Sequence, residues 1–324
     1  MKPRLVFVHG IGGPRDADAD REEWLRALAE GARTAGHARR LSGLTGHWAA
    51  DARFAYYGDL FSQAGAQGAG HGLSDANDEL IAQLLLEVVD AQLAEHALDK
   101  KPQNDRRLRV LRHARAQLAP VGAGQGIGSG GRRGLNALTT LMSIPGLRWF
   151  GERISAQATF TIVGQVARYL NRAEPDAHGA TLDHRIRERV SACLDHDGPT
   201  IVIAHSLGTV VTLETLHAHP GPVPLLVTLG SPLGVRTAVL PRTRPQPVRA
   251  PESVGRWLNF WDRDDVIAAR PRLEEFVRPN SGLVLPVSRR VDSDGAWVHP
   301  AAKYLAQPAV AGPLVEALDI LSGR

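Results

Sequence analysis

The segment Thr200-Ile201-Val202-Ile203-Ala204-His205-Ser206-Leu207-Gly208-Thr209-Val210-Val211 constrains this chain more than any other. Ile201 to Ala204 is an unbroken apolar run of strand length, and Thr209 to Leu216 has the apolar spacing of a helix. A sharp turn centred on Ser206 must join the two, which strains the serine backbone and lifts its hydroxyl to the end of a sheet. Strand and helix nearly touch at such a turn, so small residues are needed two before and two after the serine. Ala204 and Gly208 meet that need. The helix N-terminus behind the serine offers N–H groups and positive potential to a developing anion. The same pattern also fits a plain strand-to-helix connection in which Ser206 caps the helix, so the rest of the chain has to decide.

Other segments repeat the strand-then-turn theme. Arg4–Val8 reads as a strand ending in His9-Gly10-Ile11-Gly12-Gly13-Pro14, and a helix follows over Glu22–Ala35. A second strand, Arg53–Tyr57, ends at Gly58-Asp59. After residue 180 a helix Leu182–Leu194 leads to strand Thr200–Ala204. Strands follow over Val223–Leu229, Arg256–Trp261 and, more weakly, Arg289–Val291, and Ala309–Leu321 forms a closing helix. Strands separated by helices predict a mostly parallel sheet with its chemistry at the strands' C-terminal ends.

Between these halves the alternation stops. Residues 60–179 carry helical patterns at Asp75–Ala97, Asp105–Leu118, Leu135–Ser143 and Leu147–Asn171, with a glycine-rich linker at 121–134. The expected organisation is an α/β core from 1–59 and 180–324 interrupted by a helical insertion acting as a cap or lid. Gly126 to Gly131 spells a formal G-x-G-x-x-G, but no strand precedes it and a dinucleotide site requires one. Asp16-Ala17-Asp18-Ala19-Asp20 resembles the start of a calcium loop without its glycine and final glutamate, and reads better as an acidic lead-in to the first helix. No grouping has catalytic metal spacing, so no cofactor is implied.

Composition narrows the class. With 324 residues and 43% hydrophobic content, the chain can build one large α/β domain with an insertion. Its one cysteine, Cys193, excludes an intramolecular disulfide framework and is expected to pack on the apolar side of its helix. The N-terminus lacks the pattern of a signal peptide, and no apolar run reaches the ~18 residues of a membrane span; the expectation is a cytoplasmic protein. The net charge of +4 is mild. The densest basic cluster, Arg106 to Arg115, reads as a solvated helix face, and leaves peripheral membrane contact through anionic headgroups open. Few aromatics accompany the arginines, which argues against nucleic acid.

Acyl transfer by a serine needs a nucleophile, a base, a group that orients the base, and donors for the oxyanion. Each has a candidate at a strand end, in the chain order Ser…Asp…His. His299 is the preferred base among thirteen histidines, because its loop after the last strand could swing an imidazole over Ser206. His205 adjoins the serine but points elsewhere and is expected to pack under the turn. His9 is expected to shape the first glycine loop, and His217 and His219 lie late in the helix. Three aspartates, Asp262, Asp264 and Asp265, compete for the orienting role. Asp265 is preferred because Val266 and Ile267 would anchor it in the core. The backbone N–H groups of Ile11 and Leu207 are the expected oxyanion donors.

Taken together, Val6–Gly12, Ile203–Val211, Leu229–Gly234, Trp257–Phe260, Asp265–Ala268 and His299–Leu305 resemble the α/β-hydrolase superfamily. The likeness is nearest to bacterial lipase-like serine esterases related to the group resembling GPI-inositol deacylase. It spans residues 1–60 and about 180–324 and leaves most of the insertion unexplained. The resemblance implies Ser206, Asp265 and His299 as triad positions, Ile11 and Leu207 as oxyanion donors, and a six-stranded sheet that lacks the fold's first antiparallel strands. Ala204 stands where the family's motif has glycine.

The expected activity is hydrolysis of carboxylic esters, small-molecule or lipid, through a covalent acyl-enzyme. Acyl transfer by the same residues and an inactive, partner-binding scaffold are the alternatives. An acyl-binding role for the insertion rests on the charge-free stretch Leu135–Leu147 and on Trp149, Phe150 and Phe160, which could equally be the insertion's own core. Oligomeric state is not legible in the sequence.

Overall fold

A computed structural model describes residues 3–12, 16–37, 50–66, 75–98, 105–119, 129–143, 156–265, 267–268, 271–293 and 298–323. Among the described residues six strands form one sheet: β1 (Arg4–Val8), β2 (Asp51–Ala55), β3 (Thr200–His205), β4 (Leu225–Leu229), β5 (Trp257–Asp262) and β6 (Pro286–Val291). Their order across the sheet is β2-β1-β3-β4-β5-β6, and every neighbouring pair is parallel. The sheet is therefore wholly parallel where a mostly parallel one was expected.

Parallel sheets are covered on both faces, so their central strands are apolar throughout. β3 and β4 are buried at every position. The period of two sends alternate side chains into two separate cores. Leu5, Phe7, Ile201 and Ile203 pack with α1 (Ala17–Thr34) and with the C-terminal helices. Val6, Val8, Val202 and Ala204 pack on the opposite side. The edge strands β2 and β6 are only partly buried and carry Arg53, Arg289 and Arg290. Charge on an edge discourages pairing with another chain.

The helices after β2 are α2 (Gly58–Ala66), α3 (Asp75–Leu98), α4 (Asp105–Leu118), α5 (Ser129–Leu141), α6 (Ala156–Asn171) and α7 (Leu182–Ser191). α8 (Leu207–Leu216) follows β3, and α9 (Ala301–Leu305) and α10 (Pro308–Leu321) close the chain. α3, α4, α5 and α6 pack on one another. α4 packs against α3 and α5.

Polar anchors pin this insertion over the C-terminal ends of the strands. The Glu87 carboxylate of α3 accepts from the backbone N–H of Arg236 and Thr237 and from the Thr237 hydroxyl. Gln165 of α6 both accepts from Gly12 N and donates to Gly12 O, each at 2.9 Å. At the end of α6, Tyr169 donates to Glu214 Oε2 at 2.7 Å, and Arg172 pairs with Glu214 and Asp183.

Several local expectations need correction. α1 begins at Ala17, ahead of Glu22, because Asp16 caps it by accepting from Asp18 N and Ala19 N. The acidic run is thus the capped first turn of a helix. α5 begins at Ser129, so the end of the expected linker is helical; residues 121–128 lie outside the described residues. Gly130 and Gly131 pack there against Glu79 and Asp78. Cys193 lies past the end of α7 and is half-buried, with its thiol pushed up by burial. On α4, Leu111, Ala114 and Leu118 face inward while Arg106, Arg109, Arg112 and Arg115 are exposed, which is the solvated face expected of the basic cluster. No helix among the described residues is long and apolar enough to cross a membrane.

Candidate active site

The chain reverses direction across the sheet between β1 and β3, with β2 on one side and β4 on the other. Such a switch point opens a crevice beyond the strands' carboxyl ends, where α/β proteins hold their ligands. The residues that leave β1 and β3 at this point are His9 to Gly12 and Ser206.

Ser206 sits between β3 and α8 with φ 54° and ψ −129°. A positive φ is costly for a residue with a Cβ, by roughly 1–3 kcal/mol where the surroundings impose it. The surroundings are tight here. Ser206 N donates to Leu229 O at 3.0 Å, and the Ser206 carbonyl accepts from Thr209 N and from the Thr209 hydroxyl. Gly208 lets α8 approach β1: a Cβ on it would lie 2.3 Å from His9 O and 2.7 Å from Val8 O. Ser206 makes no side-chain cap to its helix, so the plain capping reading of this turn fails. Its Oγ instead lies 3.1 Å from His299 Nε2.

His299 arrives on the loop between β6 and α9. Its Nδ1 lies 2.9 and 2.8 Å from the two carboxylate oxygens of Asp265. A carboxylate only accepts, so Nδ1 carries a proton and Nε2 is the ring nitrogen that faces the serine hydroxyl. Asp265 follows β5 and its side chain is 0% exposed. Burial works against its charged form. The His299 charge, together with hydrogen bonds from His299, the Tyr304 hydroxyl and Ile267 N, outweighs that and holds the carboxyl below its usual range. Gly230, with φ 54°, ends β4 beside this pair. A Cβ there would lie 2.6 Å from Asp265 Oδ2 and 3.3 Å from His299 Nδ1.

The other two aspartates have different tasks. Asp262 is buried, and its carboxylate accepts from Asp264 N at 2.9 Å and Ser293 N at 2.6 Å, which shapes the turn after β5. Asp264 is exposed. Of the sequence candidates, then, the fold brings Ser206, His299 and Asp265 together and keeps Asp262 and Asp264 away from the imidazole. Val266, half of the pair expected to anchor Asp265, lies outside the described residues.

Leu207 is the first residue of α8, where a backbone N–H has no acceptor within its own helix. Ile11 lines the same cavity as Ser206. A side chain on Gly10 would strike Ser206, with Cβ atoms 2.6 Å apart, so the loop bearing Ile11 runs directly against the serine. Gly13 lies outside the described residues.

Four supporting residues escaped the sequence reading. His205 does more than pack: its Nε2 lies 2.6 Å from the His299 carbonyl, which fixes the proton on Nε2 and ties the base's backbone to β3. Tyr304 of α9 donates to Asp265 Oδ2 at 2.6 Å. Gln165 clamps Gly12, and Gly230 makes room for the acid–base pair. Tyr304, Gly230 and His205 lie in stretches the sequence singles out, but not with these partners. These contacts join distant segments. His9 behaves as expected: it accepts from Tyr57 N at 3.2 Å, stacks on Tyr57 at 4.1 Å, and its carbonyl takes the Tyr57 hydroxyl. His217 and His219 are elsewhere, with His217 bonded to the Arg249 carbonyl and His219 against His196.

Behind Ser206 a cavity extends under the insertion, lined by apolar side chains from α3, α4, α5 and α6 and by Ile11, Pro232, Val235 and Ile267. Among the described residues no group of His, Cys, Asp and Glu could hold a metal ion. Trp149 and Phe150 lie outside the described residues; Phe160 is buried in the insertion's own core.

Comparison with protein-family models, with curated proteins and with solved structures finds no match to this chain.

Proposed function

We propose that this chain is a serine hydrolase of the α/β-hydrolase type that cleaves carboxylic esters through a covalent acyl-enzyme. One observation carries the reading: an unbroken hydrogen-bonded line runs from Ser206 Oγ through the His299 ring to Asp265, in a crevice at the sheet's switch point. A hydroxyl, an imidazole and a buried carboxylate in that order are what a serine needs to become a nucleophile.

The steps follow from the groups present. Ser206 Oγ attacks the ester carbonyl while its proton passes to His299 Nε2. Asp265 stabilises the imidazolium through Nδ1–H and stays ionised. The negative charge that forms on the carbonyl oxygen is held by the backbone N–H groups of Leu207 and Ile11. His299 then returns the proton to the departing alkoxide, leaving the acyl group on Ser206. Water attacks the acyl-enzyme as His299 takes one of its protons, and collapse releases the carboxylic acid and restores the serine.

The test is turnover of p-nitrophenyl esters by the purified chain. The expected result is hydrolysis that falls by at least ~1,000-fold in Ser206→Ala and in His299→Ala. Equal turnover by wild type and Ser206→Ala would exclude this mechanism.

A further inference from the structure

We infer that Gln92 of α3 is a specificity-determining residue whose side-chain amide donates a hydrogen bond to an oxygen on the acyl part of the substrate. The preferred ester then carries a neutral acceptor, such as a keto, ether or second ester oxygen, along an otherwise apolar acyl chain. This rests on the reading of Ser206 as the nucleophile and goes beyond it by naming the substrate class.

Leu84, Leu85, Val88, Val89 and Gln92 follow one another on α3 at helical spacing, and all five line the cavity that also holds Ser206. Gln92 therefore continues a stripe that faces the cavity. Of the residues lining it, only Gln92 and Ser206 carry a side-chain N–H or O–H. Gln92 is 8% exposed, and its Oε1 accepts from Arg107 Nη2 of α4 at 2.9 Å. A guanidinium only donates, so this bond fixes the amide: the oxygen faces Arg107 and the nitrogen turns away from it. Among the described residues Nε2 has no acceptor. It is nevertheless not sealed inside protein, and the space that Gln92 lines is this cavity.

Holding Arg107 accounts for the oxygen of Gln92 and leaves its nitrogen without a task. A leucine at 92 would extend the apolar stripe, and a glutamate would hold Arg107 more strongly. A nearly buried donor with no acceptor is costly, and a ligand that brings the acceptor is a reason to keep it. The nitrogen only donates, so the ligand's group accepts. That group is neutral, because no charged side chain lines the cavity and a bare charge would lose its hydration there. It sits on the acyl part of the ester. The acyl group stays bonded to Ser206 through both half-reactions, so one hydrogen bond to it serves both, whereas the alcohol departs after the first.

The experiment compares kcat/KM of the full chain for p-nitrophenyl decanoate and its mono-oxo analogues, with the oxo group moved one carbon at a time along the chain away from the scissile carbonyl. One position should exceed decanoate by ~10-fold, the worth of a single hydrogen bond. Gln92→Leu deletes the donor. Gln92→Glu keeps the shape and the contact with Arg107 but cannot donate when ionised. Each variant should bring the ratio of that analogue to decanoate down by ~10-fold, to about one. Three results overturn the role of Gln92 alone: no analogue exceeds decanoate, as when a water already satisfies the amide; the preference survives both variants; or no chain ester is turned over while a fluorophosphonate still labels Ser206. No turnover of any ester, combined with no such labelling, overturns the nucleophile reading and the role of Gln92 with it.

Discussion

The Tyr304 hydroxyl donates to Asp265 Oδ2 at 2.6 Å and accepts from Asp262 N at 3.0 Å. One buried ring thus ties the carboxylate that faces His299 to the backbone of the strand that carries it. Tyr304→Phe keeps the ring and deletes both bonds, leaving two buried polar groups short of a partner. The expected cost is about 2–4 kcal/mol of stability, read from urea unfolding. An unfolding midpoint equal to wild type would show that water replaces the hydroxyl and that the tie is dispensable.

The depressed Asp265 carboxyl sets a pH dependence. A carboxyl whose folded pKa lies below its unfolded value, near 4 for aspartate, stabilises the fold at pH above that value. The contribution is lost as pH falls through the lower, folded pKa. The stability difference between wild type and Asp265→Asn should therefore be largest at neutral pH and shrink as pH drops below about 4. A difference that grows on acidification contradicts the assigned ionised state.

His205 holds the His299 carbonyl. Removing that bond in His205→Ala loosens the base without touching its ring nitrogens, and kcat for ester hydrolysis should fall by ~10-fold with KM little changed. His205→Gln retains a donor and should recover part of the loss. A rise in KM at constant kcat would move His205 from positioning the base to binding substrate.

Much of this arrangement was legible in the chain because it is local. The Ser206 turn needs small neighbours at 204 and 208, and the apolar runs of β1, β3 and β4 declare strands buried on both faces. The preference for Asp265 over Asp262 followed from adjacent apolar residues, and the distances to His299 agree with it. What the sequence did not disclose is held by contacts across many residues. The His205–His299 bond spans 94 positions and the Gln165–Gly12 pair 153, and no spacing rule reaches that far. The start of α5 is hidden in the sequence for a different reason. Ser129, Gly130 and Gly131 have low helix propensity, and packing against Asp78 and Glu79 of α3 overrides it.

Gln165 fastens the loop that bears Ile11 through one accepted and one donated bond. Gln165→Glu keeps the shape but cannot donate to the Gly12 carbonyl when ionised. It should lower kcat by ~10–100-fold, the scale expected when an oxyanion donor loses its position. The check is steady-state kinetics with p-nitrophenyl acetate. Unchanged kcat would show that the loop holds its shape without the clamp.

The backbone at Ser206 makes a prediction independent of activity. Its φ of 54° disfavours any residue with a Cβ. Ser206→Gly should therefore be more stable than Ser206→Ala by ~1 kcal/mol, although both lack the hydroxyl. Equal unfolding midpoints would place the strain elsewhere.

The central claim is that the Ser206 hydroxyl is an activated nucleophile, and covalent trapping tests it most directly. Wild type incubated with a small alkyl fluorophosphonate at neutral pH and analysed by intact mass and peptide mapping should gain one adduct, located on Ser206. Ser206→Ala should gain none, and His299→Ala should react at least ~100-fold more slowly. An unmodified wild type, or an adduct that persists in Ser206→Ala, would contradict the account.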